Sequence, residues 1–201
     1  LKLVVPVLLA VRVPNFHEAR SFIFCILQIF SFRRNIWNRS YAYVKWNLGA
    51  FAVKLSLNVV SPRKQISGPA GDLVRTYIER CAKYEATVLQ MFRSEQEFLT
   101  HVTESRGRTR PVLLLADSRG RELSSEDLSA ALGRYRDEGA QSLVLAIGPA
   151  DGWSPAARDA ATGLVAFGRI TLPHELAAVV AAEQIYRALT ILAGHPYHSG
   201  H

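Results

Sequence analysis

The chain has 201 residues, of which 24 are basic and 17 acidic, giving a formal net charge of +7, and 49% of it is apolar. That is enough apolar material for one packed domain of ordinary size, and it excludes a mainly disordered chain. Two cysteines, Cys25 and Cys81, exclude a disulfide-dense scaffold and any Cys-x-x-Cys zinc site.

The charge is concentrated at the start. Residues 1–50 hold seven basic side chains (Lys2, Arg12, Arg20, Arg33, Arg34, Arg39, Lys45) against the single acid Glu18, which is +6 of the +7. The apolar run Phe22–Phe32 has eleven residues, too few for a membrane-spanning helix, which needs about 20. A secretory signal is also a poor match. The apolar stretch Leu3–Val11 precedes the arginines, and no Ala-x-Ala site follows Phe32. An upstream translated extension, an organelle transit peptide and a membrane-surface helix remain as readings. The chain begins with Leu1, its only methionine is Met91, and Val53–Val60 reads as a natural first strand. Residues 1–52 are therefore expected to be an N-terminal extension of the domain 53–201.

From Val53 onward the elements alternate. Leu55, Leu57 and Val59 mark the first strand. Ser61–Gly71, with Pro62, Gly68 and Pro69, reads as a loop. Leu73, Tyr77, Ile78 and Cys81 then predict a helix over Asp72–Tyr84, with Cys81 as a small core residue. A strand at Ala86–Phe92 and a short helix at Glu95–Ser105 lead to a basic loop with Arg106, Arg108 and Arg110. Pro111–Ala116 is a buried strand ending at Asp117. Ser124 and Asp127 form a capping box for a helix with Leu128, Leu132 and Tyr135, ended by Gly139. Ser142–Ile147 is another buried strand, Ser154-Pro155 opens a helix, Leu164–Leu172 returns to strand, and Glu175–Ala193 is a long apolar helix. The alternation predicts an α/β layer fold with a mainly parallel sheet.

Ligands in such sheets bind beyond the carboxyl ends of the strands. Three segments stand there: Ala116–Gly120, Ile147–Gly152 and Gly168–His174. None is a Rossmann or Walker loop. By spacing alone their glycines read as plain turns or as points of close backbone approach to a ligand. The chain ends in His195-Pro-Tyr-His198, by itself either a solvated tail or a functional cluster. His198 and His201 have no third ligand at a fixed spacing, so no metal site is expected.

Taken together, Leu172-Pro-His-Glu-Leu176, Ala182-Glu-Gln-Ile-Tyr-Arg-Ala188 and His195-Pro-Tyr-His198 resemble the ribosomal RNA large subunit methyltransferase H family of SPOUT-class 23S rRNA pseudouridine N3-methyltransferases. The resemblance runs from about Val53 to His201. It implies a SPOUT-type α/β fold with a C-terminal trefoil knot, a homodimer, and a cytoplasmic enzyme with no stable membrane association. It further implies an S-adenosylmethionine site at Ala116, Gly148, Gly168, Ile170, Thr171, Leu172 and Pro173. His174, Tyr197 and His198 are the implied catalytic candidates, and 23S rRNA within the ribosome is the implied substrate. The chain departs from the family at Ala116, where leucine is common, at Pro149 in Gly148-Pro-Ala-Asp-Gly152, and at Ser199, where many members carry arginine. The competing expectation is a knotted RNA- or ribosome-binding module that has lost the cofactor through Pro149.

Overall fold

A computed structural model describes residues 53–104 and 109–198. The expectations placed on residues 1–52, Arg106, Arg108, Ser199 and His201 lie outside the described residues.

Five strands form one parallel sheet: β1 (Lys54–Val60), β2 (Thr87–Phe92), β3 (Val112–Glu122), β4 (Ser142–Ile147) and β5 (Gly163–Ala166), in the order β2-β1-β4-β3-β5. In the middle of the sheet Leu57 sits between Leu89 and Leu145, and Leu145 faces Leu114. The helices between the strands are α1 (Gly68–Cys81), α2 (Glu95–Glu104), α3 (Ser125–Asp137), α4 (Pro155–Ala160) and α5 (His174–Leu192). A short 3-10 turn, Pro196–His198, follows α5.

Burial on both faces explains the near-continuous apolar character of β1, β3 and β4. One face packs Leu55, Leu57 and Val59 against α1, α3 and α5 through Val74, Ile78, Leu128, Leu132, Ile185 and Leu189. The other packs Val60, Leu113, Leu115, Val144 and Ala146 against Phe98 of α2, Trp153 and Ala157 of α4. Helices α3 and α5 approach closely: a Cβ on Gly133 would stand 2.9 Å from Leu192. Ser129 donates to the Ala188 carbonyl at 3.0 Å in the same contact.

The local signals at helix ends act as expected. Ser124 accepts from the Asp127 N–H at 3.0 Å, and Asp127 accepts from the Ser124 N–H at 3.2 Å. Ser154 caps α4 through the Ala157 N–H at 3.1 Å. The largest departures from the sequence expectation are at three boundaries. Helix α1 begins at Gly68 rather than Asp72, because Pro69 in its first turn starts the helix instead of ending the loop. Strand β3 continues past Ala116 to Glu122, because Ala116 and Arg121 both register on Val165 and residues 117–120 bulge between them. Gly120 permits this, since a Cβ there would lie 2.5 Å from the Val165 nitrogen. Strand β5 stops at Ala166 instead of running to Leu172, where Gly168 turns the chain at φ +99°.

Candidate functional site

The carboxyl ends of β3, β4 and β5 open into one cleft with a volume of about 570 Å³, a size that suits a small organic ligand. Its walls are the β3 bulge with Ala116, Asp117 and Arg119, the turn Gly148–Gly152 after β4, and Phe167–Pro173 leading to His174 and α5. The three segments singled out in the sequence therefore meet at one place. Ala116, Gly148, Gly168, Ile170, Thr171, Leu172, Pro173 and His174 all line it.

Each wall is held by identifiable chemistry. Asp117, with its side chain 5% exposed, accepts from the Arg119 N–H at 2.8 Å and from Arg158 Nε at 2.7 Å. Burial pushes its carboxyl up, but the Arg119 N–H and the Arg158 guanidinium outweigh that and hold it below the usual carboxylate range. Pro149 starts a tight turn in which its carbonyl accepts the Gly152 N–H at 2.9 Å, with Gly152 at φ +83°. Pro149 thus removes one N–H from the cleft wall without breaking the turn.

Trp153 is a cleft-lining residue that the sequence reading missed. Its indole is 3% exposed and donates from Nε1 to the Ala116 carbonyl at 2.9 Å. The ring also fills the space a side chain at Gly148 would need: a Cβ there would lie 2.8 Å from Cε2 and 2.9 Å from Nε1. The glycine at 148 is accordingly required by the indole beneath it. The available signal was its position, the sole tryptophan after residue 52, directly before the Ser154-Pro155 helix start.

His174 is half-buried at the first turn of α5, beside the Gly148 backbone, with Nε2 buried and unpaired. Burial pulls its pKa below the ordinary histidine value, against the opposing effects of the Gly148 contact and Glu175, so the ring is neutral at pH 7. It ties the third wall to the second. The exposed Ile170 and Thr171 and the half-buried Leu172 present backbone and apolar surface to the cleft. Apolar side chains and backbone groups on these two walls, facing the charged β3 bulge, fit a ligand that carries both a flat heteroaromatic ring and polar groups.

Tyr197 and His198 are not at this cleft. They follow the far end of α5, a helix of 19 residues, so about 28 Å of rod separates them from His174. There they join a polar cluster. Glu183 accepts from Arg187 Nη2 at 2.6 Å and from the Tyr197 hydroxyl at 3.2 Å. Arg187 lies over the Tyr197 ring at 5.0 Å. His198 Nε2 contacts Glu126 at 2.6 Å, and its Nδ1 meets Arg187 Nη1 at 3.3 Å. An arginine only donates, so Nδ1 accepts and the proton sits on Nε2, facing the Glu126 carboxylate. Burial, the Tyr77 hydrogen bond and the neighbouring Glu183 push the Tyr197 phenol up to about 12. It is a hydrogen-bond donor and not a base.

Residues 55–198 match the family model described as "Predicted SPOUT methyltransferase". The chain is 46% identical over 147 residues to the ribosomal RNA large subunit methyltransferase H of Koribacter versatilis (strain Ellin345), covering 73% of this chain and 100% of that protein. It is 40% identical over 151 residues to the protein of the same name from Rhizobium rhizogenes (strain K84 / ATCC BAA-868), covering 66% of this chain and 91% of that protein. Among solved structures, the SpoU methyltransferase AviRb from Streptomyces viridochromogenes, crystallised in complex with the cofactor AdoMet, aligns with a TM-score of 0.39 at 16% identity, over 69% of this chain and 60% of that one.

Proposed function

The chain belongs to the SPOUT methyltransferase family, and from that premise we propose that it methylates N3 of a pseudouridine in 23S ribosomal RNA, using S-adenosylmethionine. The observation that carries the reading is the cleft in which all three strand-end segments converge. Residues 53–201 are the methyltransferase domain, residues 1–52 are an extension outside it, and the protein works in the cytoplasm. No described helix is long and apolar enough to cross a membrane.

S-adenosylmethionine supplies a methyl group already activated on a sulfonium, so the protein's task is mainly orientation. Gly168, Ile170, Thr171, Leu172 and Pro173 would hold the cofactor from one side, with Gly148 and the remaining lone pair of the Ala116 carbonyl on the other. The chain passing through this region is assigned the family's trefoil knot. His174, set beside the Gly148 backbone, packs the loop against the turn.

Tyr197 and His198 cannot act on the cleft of their own chain, because α5 holds them a helix length away. We assign them to the cleft of a second copy. Leu73 on α1 and Leu176 on α5 are 48% and 50% exposed; with α1 and α5 packed together, they supply apolar surface for an isologous homodimer. Across that pair the tail of one protomer covers the cleft of the other. The Tyr197 ring, with Arg187 over it, then offers a stacking and phosphate-binding surface to an extruded RNA base.

Methylation of ribosomes from a strain lacking the modification, followed by mass spectrometry of 23S rRNA fragments, tests the proposal. One methyl per 23S rRNA on a pseudouridine is the expected result. No transfer, with no S-adenosylmethionine binding by calorimetry, overturns it in favour of the non-catalytic ribosome-binding module.

A further inference from the structure

We infer that Glu95, on α2 and outside the cleft, is a positioning residue for the cofactor, acting through Ser154 and Trp153. The inference rests on the cofactor reading above. Ser94 caps α2, accepting the Glu97 N–H at 3.1 Å. Glu95 therefore occupies the first helical position, where an acidic side chain would ordinarily serve its own helix end. Both its carboxylate oxygens point elsewhere. Oε2 accepts the Ser154 N–H at 3.0 Å and Oε1 accepts the Ser154 hydroxyl, across a sequence separation of 59 residues.

This pairing fixes the Ser154 rotor, because the same hydroxyl oxygen accepts the Ala157 N–H that opens α4. The next residue back is Trp153, on which two cleft walls rest: the Ala116 carbonyl through Nε1, and Gly148 through van der Waals contact with the ring. One turn along α2 from Glu95, Phe98 is fully buried and packs on the Trp153 ring with centroids 5.3 Å apart. Residues three apart share a helix face. Helix α2 thus grips the corner twice, Ser154 by a carboxylate and Trp153 by a phenyl ring. The ring cannot retreat from the cleft while both grips hold.

Glu95→Ala removes the first grip and leaves the second. Glu95→Gln keeps it, since the amide oxygen accepts the Ser154 N–H and the amide N–H can donate to the Ser154 hydroxyl. Both variants are made in the full chain carrying Trp37→Phe and Trp46→Phe, so that Trp153 is the only emitter. Two quantities are read well below the melting temperature: acrylamide quenching of Trp153 without ligand, and the Kd of S-adenosylmethionine by calorimetry.

The expected result is higher quenching and about a tenfold rise in Kd for Glu95→Ala, with Glu95→Gln close to the parent. A merely stabilising contact would lower the melting temperature of Glu95→Ala and leave the Kd of the folded protein unchanged. That outcome overturns the inference, as does a Kd raised equally by both variants. If the parent chain binds no S-adenosylmethionine, the cofactor reading itself falls and this inference with it. Parental binding with an unchanged Glu95→Ala Kd overturns this inference alone.

Discussion

Gly148→Ala separates two explanations for a glycine in a ligand cleft. If Gly148 serves only to let its backbone approach a ligand, alanine weakens cofactor binding and leaves the unliganded fold alone. The structure demands a different outcome. The new Cβ would sit 2.8, 2.9 and 3.0 Å from three atoms of the Trp153 indole, all inside normal contact distance. The ring has nowhere to go, being hydrogen-bonded to Ala116 and packed on Phe98. Overpacking of a well-filled core costs about 1–3 kcal/mol, and the rigid neighbour argues for about 2 kcal/mol. For a domain of this size that lowers the melting temperature by roughly 5 °C. Thermal and urea unfolding of the unliganded protein measure it. The companion variant Trp153→Leu removes the obstructing ring, so the double mutant should be about 1–2 kcal/mol more stable than the sum of the singles predicts. A melting temperature for Gly148→Ala within about 1 °C of wild type, or strict additivity in the cycle, refutes the reasoning.

Further expectations concern the acid limb, the tail and the buried thiol. The Asp117 carboxyl is held below its ordinary value in the folded state, so the unfolded chain binds the proton more readily. Its contribution is complete above the unfolded pKa, near 3.9, and is lost as pH falls through the lower folded value. Asp117→Asn should cost about 1–2 kcal/mol at pH 7 and flatten the acid limb of a stability–pH curve; an unaltered limb would count against the assignment. Mixing a cleft variant, Gly168→Val, with a tail variant, Tyr197→Ala, each inactive alone, should restore about a quarter of wild-type methylation, because half the dimers then carry one intact site. No recovery on mixing would place the tail's role within its own chain. Burial pushes the Cys81 thiol up to about 12, so in a Cys25→Ser chain a thiol reagent at pH 8 should react only after unfolding. Rapid labelling of the native protein would contradict the packing of α1.

Much of the scaffold was legible because it is written in local chemistry. The apolar runs ending at Ala116 and Ile147 announce buried strands. The Ser124–Asp127 and Ser154-Pro155 signals announce helix starts, and each depends on residues three or fewer apart. The cleft was legible for the same reason, since polar and glycine-containing segments at strand ends are local patterns. Relations set by tertiary register were not legible. That Ala116 and Arg121 share Val165 as a partner lengthens β3 and bulges 117–120, and nothing in either segment reports it. The grip of Glu95 on Ser154 spans two helices from different crossings of the sheet. Trp153 carries no local mark of its place; only its hydrogen bond to Ala116 and its contact with Gly148 put it beneath the cleft. The distance from His174 to Tyr197 follows from the helix between them, but which chain's cleft the tail serves is a matter of assembly.

Helix α5 also limits how the protein can vary in length. It is an unbroken 19-residue spacer with the cleft loop at its start and the tail after its end. An insertion of one residue turns everything downstream by about 100° and advances it about 1.5 Å. Ala188 and Leu189 would rotate out of the core, and Tyr197 would leave Glu183. Insertions and deletions within α5 are therefore excluded, and length changes compatible with a working enzyme belong in the surface loops, such as Glu138–Gln141 between α3 and β4. The helix is a ruler, and its graduation is a single turn.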